Sequence, residues 1–366
     1  MSELHIFFKN VVFMSRISID RTSLRNPAVR SKNLPEHHLR PLTPHPFRTA
    51  KRGVNAMLRP ESPLLAQLVV IRRCNLSCGY CNEYDDYSPP VPVEELFARI
   101  DHLAKLGCLI LTVTGGEPFM HPELDRIVAR ATSHGMVVTA ISNAYPITKR
   151  WIDRMNDAGL SLLQVSVDNV EPNEVSQKSW SKIRKRLLLL QAHAKFKLNV
   201  NAVLGSSPPE QTRELIKEIR SLGFYMTVGL LHDAQGQIDP GLIGDILPEF
   251  YEEMRALCNK SFFHQFGEGW EQQMLRGGTA PWRCRAGARY LYVDELGKVA
   301  YCSQRRSEPG IPLLSYGRAD LKREYDRPKG CEESCTIACV RRASSLDEWR
   351  PQRGPVATAK SSLPIV

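Results

Sequence analysis

The chain has 366 residues, 42% of them hydrophobic and 24% charged, with ten cysteines and a formal net charge of +10. That length can hold one large domain and a smaller one around a proper core, which excludes a short scaffold stapled by disulfides. No apolar run approaches the ~18 residues of a membrane-spanning helix.

The positive charge is uneven: residues 1–63 hold eleven Lys or Arg against four Asp or Glu, leaving only +3 for the other 303 residues. A charge confined to one end gives the folded part no electrostatic footprint for nucleic acid, so no nucleic-acid partner is expected. Residues 1–63 also carry seven of the 25 prolines and no sustained periodicity, and read as a basic, Pro-rich, largely disordered leader. Its apolar stretch at 5–14 is short and interrupted by Lys9, which speaks against a signal peptide. Within the leader, residues 47–58 read in two ways. They form either a basic amphipathic helix able to touch an anionic membrane surface or a solvated linker packed on the folded core. The expected location is cytoplasmic, peripheral to the inner face of a membrane under the first of these readings.

From residue 66 onward, short β-branched runs alternate with helical patterns, which predicts a parallel sheet flanked by helices. Strands are expected at 66–72, 108–113, 136–141, 160–167, 197–203 and 224–230. Each is followed by a helix, near 93–106, 122–134, 148–158, 179–194, 208–222 and 245–257. In the first helix Leu96, Ile100, Leu103 and Leu106 share one face, and Gly135, Gly159 and Gly223 stand where a left-handed residue ends a helix. This core spans 64–260. Residues 261–340 read as a linker helix and a small cysteine-rich unit, with a hairpin of strands 290–293 and 298–301 turning at 294–297. Residues 341–366, rich in Arg, Ser and Pro, read as a disordered tail.

Chemistry-bearing residues gather at the ends of these strands. After the first come Cys74, Cys78 and Cys81, and three thiolates leave one iron of a cubane cluster open to a ligand that is not protein. A zinc tetrahedron is the alternative, but it lacks a nearby fourth Cys or His. A disulfide framework suits small exported domains. Gly115-Gly116-Glu117-Pro118 follow the second strand and Ser142-Asn143 the third. Ser166 and Asp168 end the fourth, on one face with Val167 between them, and Asn201 lies in the fifth. Cys108 and Cys258 fall in apolar patterns and read as buried thiols.

The C-x3-C-x2-C run followed by Gly-Gly-Glu-Pro resembles the radical S-adenosylmethionine (radical SAM) superfamily. The resemblance implies an α/β fold, a partial (β/α)6 TIM-like barrel. It implies a 4Fe–4S cluster on Cys74, Cys78 and Cys81, with S-adenosylmethionine chelating the open iron. Reductive cleavage then gives a 5'-deoxyadenosyl radical that abstracts hydrogen from a substrate. Tyr80 is implied against the adenine, and Gly115, Gly116, Glu117 and Pro118 near the amino group. Ser142, Asn143, Ser166, Asp168 and Asn201 are implied around the rest of the cofactor. Ala144 departs from the glycine that relatives often carry after Asn.

The run Cys284-x12-Gly297-x4-Cys302, with Cys331, Cys335 and Cys339 beyond it, resembles the SPASM and twitch extensions of that superfamily. A full SPASM has seven cysteines for two clusters, so five imply one auxiliary 4Fe–4S cluster, with zinc as the alternative. An electron donor such as flavodoxin or ferredoxin is implied as a partner, with a peptide, a lipid or isoprenoid, or a small metabolite as substrate. The competing reading is a non-catalytic protein whose cysteines hold iron–sulfur or zinc for structure or electron transfer.

Overall fold

The computed structural model describes residues 43–233, 235–238, 248–258, 270–278, 282–306, 308–348 and 350. Six βα units come first. The strands are β1 (Leu65–Ile71), β2 (Ile110–Gly115), β3 (Val137–Ser142), β4 (Leu162–Ser166), β5 (Lys197–Leu204) and β6 (Met226–Leu230). A helix α1 (Pro46–Leu58) precedes them. The helices that follow the strands are α2 (Val93–Leu106), α3 (Leu124–Ser133), α4 (Lys149–Ala158), α5 (Trp180–His193), α6 (Pro209–Ser221) and α7 (Pro248–Leu257). Neighbouring strands pair in parallel in chain order from β1 to β6, giving the partial (β/α)6 barrel.

Periodicity explains these elements. In α2 Leu96, Ile100 and Leu103 recur at helical spacing and are fully buried, each contributing about 1.5–3 kcal/mol by leaving water. The helix ends at Gly107, whose φ of 93° is left-handed. β1 is buried almost throughout because it lies inside the sheet with both faces covered. No helix among the described residues is long and apolar enough to cross a membrane.

Three features depart from the sequence reading. First, the C-terminal hairpin is continuous with the barrel sheet. β7 (Tyr290–Val293) pairs in parallel with β1 through Leu65 to Leu68, and β8 (Lys298–Ala300) and β9 (Ile311–Pro312) extend that edge antiparallel. Second, the end of the leader is structured. α1 packs beneath the barrel, where Arg48 donates to Ser133 O and Arg52 to His134 O, Ala104 O and Cys108 O. Its arginines cap the carbonyl ends of α2 and α3. The leader's residues 1–42 lie outside the described residues.

Third, the expected disordered tail is ordered over its first residues. Helix α10 (Ala338–Ser345) follows α8 (Trp270–Leu275) and α9 (Arg318–Asp326). Arg341, Ala343, Ser344 and Ser345 are buried, and Asp347 forms a buried ion pair with Arg289 at 2.9 Å. Composition suggested a solvated segment, but its small residues fit against the hairpin and its charges are paired. The rest of the tail, 351–366, and most of the expected linker helix lie outside the described residues.

Candidate metal centres and cofactor site

Each strand's carboxyl end opens on one mouth of the barrel, the end where such folds carry their chemistry. After β1 the chain leaves the sheet as a loop closed at its stem: Cys74 N donates to Asp85 O at 2.8 Å and Asp85 N to Arg72 O at 3.2 Å. Cys74, Cys78 and Cys81 sit on this loop. Cys78 is buried and accepts from Gln177 N at 3.3 Å. Cys74 accepts from Leu76 N at 3.4 Å and lies 3.7 Å from Asn143 Nδ2. Burial pushes the Cys74 thiol up to about 11 and raises that of Cys81, and each lies near enough to another thiol of the set to feel its charge.

Gly115 and Gly116 stand directly behind this loop. A Cβ on Gly115 would lie 2.1 Å from Ile71 O, and one on Gly116 2.2 Å from Arg72 O. Their first reason is thus the close approach of the exit from β1, where Gly116 N bonds Ile71 O and Glu117 N bonds Arg73 O. Sequence reasoning assigned the glycines to ligand approach, and the structure adds this steric requirement. Pro118 begins a buried single turn, Pro118–Met120.

Glu117 is fully buried. Its carboxylate accepts from Ser142 Oγ at 2.8 Å, Phe119 N at 3.0 Å and Asn143 N at 2.7 Å. It thereby shapes the β3 exit, and burial still pushes its pKa up to about 7. Asn143 Nδ2 in turn holds Asn75 Oδ1 at 2.9 Å, joining the β3 exit to the cysteine loop. Ala144 follows with φ 64°, the glycine-like conformation of the position.

Asp168 is closed off, with its side chain fully buried. It accepts from Tyr80 Oη at 2.8 Å, Ser176 Oγ at 2.7 Å and Val203 N at 3.1 Å, so in this arrangement it organises the β4 exit around Tyr80. Ser166 pairs in register with Asn201 on β5. Asn201 Oδ1 accepts from Thr227 Oγ1 at 2.8 Å and so spends its amide oxygen across β5 and β6.

Lys178 was not foreseen. Its ammonium donates to Tyr80 Oη and stands 4.7 Å over the Tyr80 ring and 3.9 Å from Asp168. Burial alone would lower it, but the charges of Tyr80, Asp168 and Cys78 hold it well above the usual lysine range. Its charge is felt by all three thiols. No motif marks a lone lysine in a loop, and only the fold of residues 174–179 back onto the cysteine loop reveals it.

The second set assembles around the hairpin. Cys284, Cys302 and Cys335 are buried with Tyr290, Tyr292 and Val340, and Cys339 packs against them. Cys284 feels the charge of Cys331 and Cys335, and Cys302 that of Cys284, Cys335 and Cys339, so all five thiols share one neighbourhood. Gly297, the glycine of the spaced run, has φ 75°, and a Cβ there would lie 2.8 Å from Arg99 Nε. Among the described residues no three Cys, His, Asp or Glu side chains converge to hold a single metal ion.

A family model described as the radical SAM superfamily matches residues 68–233. This part of the chain is a radical SAM domain. A 4Fe–4S cluster and S-adenosylmethionine are the cofactors of that domain, and a cysteine-rich region follows it in this chain.

Among its relatives is the AdoMet-dependent heme synthase of Methanosarcina barkeri, 25% identical over 269 residues, covering 66% of this chain and 77% of that protein. A PqqA peptide cyclase of Granulibacter bethesdensis is 26% identical over 178 residues, covering 46% of this chain and 47% of that one. The chain therefore spans about half the length of that cyclase. Among solved structures, SuiB of Streptococcus suis bound to its precursor peptide SuiA aligns with a TM-score of 0.56 at 16% identity. That alignment covers 88% of this chain and 78% of SuiB, a likeness of fold.

Proposed function

We propose that Cys74, Cys78 and Cys81 hold a 4Fe–4S cluster with one iron left for S-adenosylmethionine, and that the enzyme modifies a peptide by hydrogen abstraction. The observation that carries this is the loop itself: three thiols on one irregular segment at the barrel mouth, and a lysine whose charge reaches all three. When bound, the cluster supplies the electron that splits S-adenosylmethionine, giving a radical able to remove hydrogen from an unactivated carbon.

The chain's own residues do the rest. Asn143 ties the β3 exit to the loop, Glu117 holds that exit in shape, and Asp168 and Lys178 fix Tyr80 from its two sides. Lys178 also offsets negative charge that would gather on the thiolates. Cys284 and Cys302, with two of Cys331, Cys335 and Cys339, hold the auxiliary cluster. Four thiolates complete a cubane, so one of the five is spare. A low-potential carrier such as flavodoxin or ferredoxin supplies electrons.

The peptide cyclase relatives and the fold shared with a peptide-bound enzyme support the peptide reading. A second reading, an iron porphyrin, is favoured by the larger share of the chain aligned with heme synthase. Anaerobically reconstituted protein with dithionite is expected to turn S-adenosylmethionine into 5'-deoxyadenosine and methionine, and Cys78→Ala to lose this by at least about a hundredfold. Binding without cleavage in the wild type, or equal rates in the variant, would return the chain to the class of electron carriers. Stimulation of 5'-deoxyadenosine release by iron coproporphyrin would replace the peptide with the porphyrin.

A further inference from the structure

The two cysteine sets are joined by a ring of side chains that neither spacing motif announces. Cys81 is followed by Asn82, and Cys302 by a single turn, Ser303–Arg305, and then Arg306. Arg306 Nη1 donates to the Asn82 carbonyl at 3.1 Å, and Asn82 Nδ2 reaches Gln304 Oε1 at 3.5 Å. The other arm of the guanidinium grips Glu295, with Nη2 3.2 Å and 3.1 Å from its two carboxylate oxygens. Glu295 also meets Arg72 Nη1 at 3.0 Å, and Arg72 Nε lies 3.3 Å from Asp85.

Arg72 and Asp85 are the two sides of the stem that closes the cysteine loop. The contacts therefore run from that stem through the hairpin turn and back to the residue beside the last cysteine. Arg99 secures the turn from behind by donating to Glu295 O at 3.0 Å.

Between Arg72 and Pro92 the loop has no helix or extended strand of its own. Its shape is set by tertiary contacts, and these are charge-assisted with the Arg306 side chain only 11% exposed. We propose that Arg306 is a positioning residue for the Cys81 side of the first centre, and that through it the filled second cysteine set raises the affinity for S-adenosylmethionine. The inference rests on the reading that Cys74, Cys78 and Cys81 hold the cluster. Coupling of this kind works in both directions, so S-adenosylmethionine tightens the second centre by the same factor.

The test uses the full chain, anaerobically reconstituted, and reads the concentration of S-adenosylmethionine that half-changes the electron paramagnetic resonance signal of the reduced first cluster. Arg306→Ala is expected to keep the iron of both centres yet to need about 10- to 100-fold more S-adenosylmethionine, the usual scale for a support behind a metal ligand. Arg306→Lys keeps a cation near Asn82 O or Glu295 but loses the two-armed bridge between them, and recovers part of the loss. Replacing Cys284 and Cys302 together by alanine weakens binding similarly, and adding Arg306→Ala to that pair costs little more, because both act through one contact.

Wild-type affinity in Arg306→Ala, or fully additive losses, would overturn the coupling. If Arg306→Ala does not accumulate, Glu295→Gln cuts the same ring, and wild-type affinity in it overturns the proposal equally. A wild-type protein whose signal ignores S-adenosylmethionine defeats the cluster assignment itself, and an intact wild-type response with indifferent variants defeats only the role of Arg306.

Discussion

Glu117 carries a cost that its three hydrogen bonds do not cancel, since burial still holds its pKa near 7 against 4.5 for an ordinary glutamate. The native state then binds this proton more tightly than the unfolded chain. The site is fully compatible with folding below pH 4.5 and loses stability as pH rises through 7. Over the whole span the shift corresponds to about 3 kcal/mol. Between pH 5.5 and 8 the wild-type protein is expected to lose about 2 kcal/mol more than Glu117→Gln, read as a thermal midpoint that falls relative to the variant's. An unchanged gap between the two midpoints would mean that the carboxylate is already ionised at pH 5.5.

At this scale the sequence was legible where a residue type is forced by geometry. Gly115, Gly116 and Gly297 answer to backbone or side-chain atoms that a Cβ would strike. Lys178 was illegible because its role comes from where a later loop lands.

The barrel's elements were readable because burial follows period: the alternation of β-branched runs with helical faces places all six strands and their helices within a few residues. The attachment of β7 to β1 was not readable. It pairs residues 65–68 with 290–293, and nothing local in either segment specifies a partner more than 200 positions away.

Helix α1 is an intermediate case. Its amphipathic pattern was visible, but the use of its arginines was not. Arg52 donates to three carbonyls at the ends of α2 and α3, so Arg52→Ala leaves those acceptors without their partner. A loss of about 1–2 kcal/mol is expected, measured as a lower denaturation midpoint with an unchanged m-value. A neutral result would mean that water replaces the guanidinium at both helix ends.

One buried pair ties together three separate parts of the described fold. Arg289, just before β7, is completely buried, and it meets Asp347 beyond α10 at 2.9 Å while Nη1 donates to Ser62 O at 2.8 Å. One guanidinium thus fastens the segment entering β1, the hairpin of the second centre and the C-terminal extension. Two buried charges bring little net stability, because each gave up its hydration, but removing one strands the other. Asp347→Ala is therefore expected to cost about 3–5 kcal/mol, while Arg289→Met combined with Asp347→Leu recovers most of that by filling the space with apolar surface.

Limited proteolysis and denaturation midpoints on all three proteins measure the difference. If the single and double variants were equally weakened, the contact would act through shape rather than charge. If neither were weakened, the C-terminal extension would not be fastened to the barrel by this pair. The expected order also bears on the second centre, since Cys339 lies on α10 and Cys284 immediately precedes the Arg289 turn. Asp347→Ala should lose auxiliary iron before it loses the iron of the first loop.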